Sequence, residues 1–158
     1  MRRLGWVLAA GLSLLPALSP AQTAGELTLL GRIAHPRTLT LAELKALPAV
    51  SVEVVSTGAK GPQKAVYTGA LLWPLIDQAA PADKPPSRAY LQHTLLARGQ
   101  DGYAVALAIG EIDPGFEGKQ VLVGYMQDGA PLPALRLVVP GDTRAGRNVR
   151  ELTAIKVR

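Results

Sequence analysis

Short apolar segments, each ended by glycine, proline or a polar turn, constrain the fold of this chain more than any other feature of its sequence. Residues 50–55, 121–126 and 135–139 are rich in aliphatic and β-branched side chains, and they have the length of strands rather than of buried helices. In residues 50–55 valines alternate with polar residues, which predicts a strand with one buried face. Residues 27–34 and 152–157 add two further predicted strands.

Two of the intervening segments carry helix signals. Thr40 and Glu43 have the spacing of a capping box, and the leucines that follow share one helical face. Pro48 ends this first short helix. Residues 71–76 place leucine and isoleucine at helical spacing, with Pro74 in the first turn, where proline is tolerated. The sequence therefore predicts two short helices among the strands.

The remaining segments indicate a mixed α+β domain. Residues 90–98 and 103–109 flank the glycine-containing turn 99–102, which predicts a β-hairpin. Residues 58–62 are predicted as a loop, and residues 110–114 as a turn or a single helical turn. Because strands and helices do not alternate regularly, we expect a mixed sheet or partial barrel with short helices, not a doubly wound parallel sheet.

The first 21 residues have the composition of a secretory signal peptide. Arg2 and Arg3 precede an apolar stretch, residues 4–18, that is too short and too interrupted to span a bilayer. Small residues before and at Ala21 are typical of a cleavage site. We expect cleavage after Ala21, with Ala24 as the alternative site and an uncleaved anchor as the other interpretation.

Cleavage would leave residues 22–158 as a single domain in the periplasm or outside the cell, with no membrane span. Its net charge would be +3, since the chain has 17 basic and 12 acidic side chains and only two basic ones precede residue 22. Residues 136–158 carry six basic and two acidic groups, so the positive charge is concentrated at the end of the chain. With few aromatic residues and an exported chain, this favours a local anion site and not a nucleic-acid surface.

The sequence contains no cysteine, which excludes disulfides, thiolate zinc sites, iron–sulfur clusters and thiol nucleophiles. His35 and His93 lack an i, i+4 partner and are expected as a turn residue and as a hydrogen-bonded or surface residue, with no metal site. Glu111 and Asp113 are expected as polar residues of a turn. Neither a G-x-S-x-G motif nor a P-loop is present.

One basic segment stands apart from these exclusions. Residues 136–142 run from an apolar strand into a glycine-containing loop, and Arg147 and Arg150 follow closely. Such a loop can bind an anion through backbone amides and forked guanidinium donors. A solvated basic turn is the alternative interpretation.

Several blocks of the sequence, taken together, resemble the molybdopterin-binding domain of the sulfite oxidase type. The blocks are residues 38–48 (TLTLAELKALP), 56–58 (STG), 67–72 (YTGALL), 101–103 (DGY), 121–125 (VLVGY), 128–132 (DGAPL) and 135–141 (LRLVVPG). The resemblance implies the fold of that domain and a site for an anionic ligand. The residues expected at that site are Arg136, Asp142, Arg147, Asn148 and Arg150, with Ser56, Thr57 and Gly58 on the opposite wall.

Enzymes of this family hold molybdenum through a cysteine thiolate at the end of the strand before the Thr-Gly-type loop. In this chain the corresponding residues, 54–58, read VVSTG. A neutral hydroxyl is a poorer ligand than a thiolate for such a metal. The family's enzymes are also larger, so the resemblance implies the scaffold and, by itself, neither bound molybdopterin nor redox activity.

The N-terminal segment bears on the same question. A member that carries its cofactor is exported folded through a twin-arginine signal, and Arg2 and Arg3 do form a pair. However, the pair follows Met1 directly and is followed by Leu4 and Gly5, so an ordinary signal of the general secretory route fits better. We therefore expect the chain to cross the membrane unfolded and without pterin.

The leading hypothesis from the sequence is an exported, non-catalytic binding or accessory module for an anionic ligand or a periplasmic redox partner. One alternative is a genuine molybdopterin-dependent oxidoreductase with a non-cysteine metal ligand. The other is a structural interaction module of a periplasmic system.

Overall fold

The computed structural model describes residues 25–58, 61–83 and 87–158. The described strands are β1 (Leu27–Gly31), β2 (Arg37–Leu39), β3 (Ala49–Gly58), β4 (Gly61–Leu71), β5 (Thr94–Gly99), β6 (Ala104–Ala108), β7 (Leu122–Gln127), β8 (Ala130–Val138) and β9 (Leu152–Val157). The described helices are α1 (Leu41–Ala46), α2 (Leu72–Gln78) and α3 (Ile109–Ile112), and two 3₁₀ turns span Arg88–Gln92 and Ala145–Arg147.

The predicted signal peptide, residues 1–21, and both predicted cleavage sites lie outside the described residues. Within the described ranges, no helix is long and apolar enough to cross a bilayer.

The strands form two sheets, and the described ones close no barrel. The first sheet has the order β2-β1-β9-β5-β6, with β1 and β9 parallel and the other neighbours antiparallel. The second has the order β3-β4-β7-β8 and is antiparallel throughout. This arrangement, mostly sheet with a few short helices, confirms the predicted α+β class.

Local sequence signals account for α1 and for the β5–β6 hairpin. The Thr40 hydroxyl accepts from the Glu43 backbone N–H at 3.3 Å, and the Glu43 carboxylate accepts from the Thr40 backbone N–H at 2.7 Å. These two bonds form the predicted capping box. The two Thr40 donors hold the pKa of Glu43 below its ordinary value. β5 and β6 pair from Thr94 opposite Ala108 onwards, as predicted.

The strands differ from the predictions at several boundaries, since β2 and β4 were not predicted and β1, β3 and β8 have other limits. Two further differences have a local cause. The predicted loop 58–62 is the end of a long hairpin, in which Gly58 lies opposite Gly61 and the two residues between them fall outside the described ranges. Polar composition did not prevent pairing there, because an exposed hairpin end needs no apolar face. Residues 90–92, predicted as strand, belong to a 3₁₀ turn, since the Ser87 hydroxyl accepts from the Ala89 backbone N–H at 3.1 Å and caps it.

The second sheet has apolar side chains on both faces. Val123 of β7 packs in the main core, which it shares with the first sheet and the helices. Its neighbour Leu122 belongs to a smaller cluster on the other face, with Val52, Val54, Tyr67 and Val138. Since successive residues of a strand face opposite sides, β7 is buried on both. The smaller cluster lies directly beside the candidate site.

Candidate functional site

A cavity of about 380 Å³ lies between the second sheet and the loop that follows β8. We call it the hairpin cavity, and its lining residues are Val54, Ser56, Gln63, Lys64, Ala65, Tyr67, Gln127, Ala145 and Asn148. Two residues predicted from the sequence, Ser56 and Asn148, thus share this cavity although they belong to different segments.

The register of β3 against β4 explains which side chains face the hairpin cavity. Ser56 lies opposite Gln63, and Val52 lies opposite Tyr67. Because side chains alternate between the two faces of a strand, these residues share the face of Val54 and the smaller apolar cluster. The polar residues therefore extend an apolar floor towards the end of the hairpin.

Val55 and Lys64 form the next pair in the register of this hairpin, and Lys64 also lines the cavity. Val55 is 54% exposed, and it lies opposite Lys64. The Lys64 ammonium pairs with the Glu53 carboxylate at 2.7 Å, so its charge is compensated on the protein itself.

Arg136 supports the hairpin cavity from β8. Its Nη1 donates to the Tyr67 hydroxyl oxygen at 2.8 Å and to Gln127 Oε1 at 3.3 Å. Its guanidinium carbon also lies 5.5 Å from the centre of the Tyr67 ring, within the range of a cation–π contact. Tyr67 is only 7% exposed, so both contacts orient its hydroxyl in a nearly buried position.

Three of the hydrogen bonds of the loop after β8 fix its course beside the hairpin cavity. Asn148 Oδ1 accepts from the Val139 backbone N–H at 2.7 Å. The Leu137 backbone N–H donates to the Val149 carbonyl at 2.9 Å, and the Thr57 backbone N–H donates to the Thr143 carbonyl at 2.9 Å. The first bond lies within the loop, the second joins the loop to β8, and the third holds it against the end of β3.

Arg147 lies at the centre of a network of charges next to the hairpin cavity. Its Nε and Nη2 donate to the two oxygens of Asp142 at 2.8 and 2.6 Å. Its Nη1 donates to Glu111 Oε2 at 2.9 Å, and the same carboxylate oxygen lies 3.4 Å from the Lys119 ammonium. The predicted anion-binding arginine thus has carboxylate partners from its own chain.

The charges of this network shift the pKa values of its members. The hydrogen bond from Arg147 outweighs partial burial and lowers the pKa of Asp142. Partial burial by itself would raise the pKa of Glu111, but the bonds from Arg147, the Ala108 backbone and Lys119 reverse it, so that this pKa is lowered as well. The carboxylates in turn raise the pKa of Arg147. All three groups are therefore charged at neutral pH.

The other predicted residues lie around two further cavities. Arg136 and Arg150 line one of about 250 Å³, which they share with Asp101 and Glu151. Asp142 and Arg147 line a shallow one of about 520 Å³, together with Arg144 and Tyr103 among others.

Six of the eight predicted site residues thus line three cavities, and Thr57 and Gly58 line none of the three. Thr57 contributes its backbone to the loop contact, and Gly58 ends β3. Their assignment to an anionic ligand stays a prediction.

Sequence reasoning missed Tyr67 and Gln127, which line the hairpin cavity. Tyr67 opens the sequence block 67–72, but nothing in that block marked it as a site residue, and no motif marks Gln127. It also placed Glu111 and Asp113 as simple turn residues. In the structure Glu111 binds Arg147, and Asp113 is buried, which makes both structural.

Asp113 and His93 are buried side chains whose hydrogen bonds give them a structural role. Asp113 accepts from the Tyr90 hydroxyl at 2.8 Å and from the Gly115 backbone N–H at 2.8 Å. His93, expected as hydrogen-bonded or at the surface, is buried, with its ring nitrogens 2.8 and 2.9 Å from the carbonyls of Arg158 and Ala82. Both side chains tie segments of the domain together.

The donor groups near the end of β3 do not fit a soft metal. Ser56 and Thr57 offer neutral hydroxyls, Val55 offers none, and the sequence has no cysteine. The described ranges also hold no group of three or more His, Cys, Asp or Glu side chains placed to bind a metal ion. The residues present therefore do not reproduce a thiolate-bound molybdenum centre.

Comparisons with known proteins agree with the fold and with the resemblance of the sequence blocks. The model of the oxidoreductase molybdopterin binding domain matches residues 17–158. The search of curated proteins gave no match. Among solved structures, the sulfane dehydrogenase SoxCD from Paracoccus pantotrophus is similar, with a TM-score of 0.69 at 18% identity over 89% of this chain.

The alignment covers 40% of the SoxCD chain, and at this identity the likeness concerns the fold alone. The family match extends over nearly the whole chain, described strands and candidate site included. This chain belongs to the oxidoreductase molybdopterin binding domain family, with the domain fold of the sulfite oxidase type.

Proposed function

We propose that this chain is an exported, non-catalytic member of the family that serves as a binding or accessory module for an anionic ligand or a redox partner. The observation that carries the proposal is the chemistry at the end of β3, where hydroxyl and aliphatic groups stand and the chain has no thiolate to offer. Soft thiolate ligands are the ones that suit such a metal, and neutral hydroxyls are weak substitutes.

Export is the second part of the proposal. It rests on the charged start, the apolar stretch and the small residues of residues 1–21. A cell-fractionation experiment with the complete chain tests it. We expect the protein outside the cytoplasm, shortened at Ala21 or Ala24, and recovery of the full-length chain in the cytoplasm would contradict this part.

Ligand binding by the scaffold is supported by the hairpin cavity. Its volume of about 380 Å³ is within the range of small-molecule sites, and the loop that closes it is held by several hydrogen bonds. Arg147 is bound to two carboxylates, so in this proposal it supports the loop, and its role as an anion donor stays a prediction.

The deciding experiment measures metal and pterin in the protein purified from its own cellular compartment. Elemental mass spectrometry detects molybdenum and tungsten, and fluorescence after oxidation detects pterin. A cysteine-containing member of the family, expressed in the same cells, shows that the cells supply the cofactor. We expect the control to contain both and this protein to contain neither; about one metal and one pterin per folded chain would overturn the proposal.

A further inference from the structure

The polar atoms around the hairpin cavity divide into acceptors that the protein uses and donors that it leaves open. Asn148 shows this most clearly. Its Oδ1 accepts from the Val139 backbone N–H, which assigns the orientation of the amide. Its Nδ2 carries two N–H donors, which make no hydrogen bond to any of the described residues. Asn148 therefore offers donors, and not an acceptor, to a ligand.

The Tyr67 hydroxyl likewise has an occupied acceptor and an unused donor. Its hydroxyl oxygen accepts from Arg136 at 2.8 Å, so its own proton is free to be donated. No acceptor for that proton is found in the part of the chain that the structure describes. A cation that donates to a hydroxyl oxygen polarises the O–H group and strengthens it as a donor. The nearly buried Tyr67 is thus prepared to bind an acceptor atom.

Two further lining residues, Gln127 and Ser56, fit this pattern. Gln127 Oε1 is occupied by Arg136, which leaves its amino group as the available end, shared with Asp128 at 3.3 Å. The Ser56 hydroxyl can donate. The described residues that line the cavity include no aspartate or glutamate, so an anionic ligand would meet no opposing carboxylate among them.

We infer that the hairpin cavity binds the oxyanion group of a small molecule, a sulfate, phosphate or carboxylate, through Ser56, Tyr67 and Asn148. Arg136 acts as a positioning residue, since its guanidinium is directed to Tyr67 and Gln127. The inference rests on the proposed function and specifies the ligand class of its anion site. It also moves the recognition from the arginines of the basic segment to neutral donors.

The first test is a titration of the isotope-labelled protein, expressed with its own N-terminal segment, followed by nuclear magnetic resonance. Sodium sulfate, phosphate and acetate are added separately, and sodium chloride at equal ionic strength is the control. We expect at least one oxyanion to shift the amide signals of Ser56, Tyr67 and Asn148 in a saturable way. The anion whose titration saturates at the lowest concentration identifies the preferred group. If none of the three anions gives a saturable shift, or if chloride gives the same shift, the inference is overturned.

The second test replaces donors by groups of similar shape. Asn148→Asp keeps the oxygen that binds Val139 and exchanges the amino group for a second carboxylate oxygen, and Tyr67→Phe removes the hydroxyl. We expect each to raise the dissociation constant for the preferred oxyanion about tenfold or more, as for the loss of a hydrogen bond to a charged group. Gln92→Glu, an amide-to-carboxylate change at an exposed residue, should leave it unchanged.

The controls separate this inference from loss of structure and from the proposed function. Retained dispersion of the amide spectrum shows that each variant is folded, and an unchanged dissociation constant in folded Asn148→Asp would overturn the inference. If Arg136 acts by positioning Tyr67, Arg136→Gln should weaken oxyanion binding in the original protein and have little effect when it is added to Tyr67→Phe. Equal effects in the two backgrounds would contradict this role of Arg136. Molybdenum and pterin in the purified protein would instead contradict the proposed function.

Discussion

Arg147 and Asp142 form a two-point ion pair, in which Nε and Nη2 of the guanidinium lie 2.8 and 2.6 Å from the two carboxylate oxygens. The remaining nitrogen of the guanidinium, Nη1, donates to Glu111 Oε2 in α3. Since Asp142 and Arg147 stand on the loop that closes the hairpin cavity, this arrangement joins that loop to α3. The arginine that the sequence predicts as a ligand donor thus also fastens this loop.

Removing this guanidinium should destabilise the domain. In Arg147→Gln, two partly buried carboxylates lose a charge-assisted partner, and we expect the free energy of unfolding to fall by about 1–3 kcal/mol. Urea denaturation measures the change. Arg144→Gln removes a neighbouring exposed arginine and should stay within about 0.5 kcal/mol of the original protein. Equal effects of the two substitutions would show that the network does not fasten the loop.

The same network predicts acid sensitivity. The folded-state pKa values of Asp142 and Glu111 lie below the ordinary values of 3.8 and 4.5, so folding favours their charged forms. Their contribution to stability is complete above those ordinary values and is lost as the pH falls through them towards the folded-state values.

Urea midpoints between pH 7 and pH 3 test this dependence. Glu43 also has a lowered pKa, so the informative quantity is the difference between the original protein and Asp142→Asn. We expect that difference to shrink as the pH falls. A difference that is constant over the whole range would refute the assigned role of the carboxylate charge.

Close backbone packing makes Gly69 difficult to replace. A Cβ atom at Gly69 would lie 2.2 Å from the Val123 carbonyl oxygen and 2.7 Å from the Cα of Gly124, where β4 and β7 change register. We expect Gly69→Ala to lower the free energy of unfolding by about 3 kcal/mol, since backbone atoms must move. Gly146→Ala is the matched control, because nothing lies within 4 Å of its added Cβ. Thermal denaturation of both proteins gives the comparison.

The buried pair of Tyr90 and Asp113 predicts both a mutational and a spectroscopic result. Tyr90→Phe removes the hydroxyl that donates to Asp113 at 2.8 Å and leaves a buried carboxylate oxygen without that partner, at a cost of about 1–3 kcal/mol. Burial first, and then the bond to Asp113, raise the pKa of Tyr90 above 10.0.

Absorbance at alkaline pH should therefore show one tyrosine that ionises later than a free phenol. Folding favours the protonated form of Tyr90, so its contribution to stability is complete below pH 10 and is lost as the pH rises through the folded-state value. In Tyr90→Phe this late transition should disappear. Its persistence would assign the raised pKa to another tyrosine.

The features that could be predicted from the sequence are those that depend on neighbours along the chain. The capping box of Thr40 and Glu43 and the hairpin of β5 and β6 follow from side chains and turns a few residues apart, and both are confirmed. The order of the strands in the sheets was not predicted, because it depends on which apolar faces pack together.

In the candidate site, too, some residues could be predicted from local sequence and others only from the fold. Ser56 and Asn148 were both predicted, one from a sequence block and the other from the basic segment, and the fold places both on the hairpin cavity. Tyr67 escaped prediction because its partner Arg136 is 69 residues away in the sequence, and no local pattern marks such a contact.

The sequence by itself determined the family, the local elements and the absence of a thiolate, since each of these is a property of residue type and spacing. Only the tertiary structure decided which charged groups remain available. Arg147 meets Glu111 across 36 residues, and Tyr67 meets Arg136 across two strands that do not touch in the sheet order. Hydrogen bonds and ion pairs form between groups that folding brings within about 3 Å, and that proximity arises only when the sheets and the closing loop are assembled.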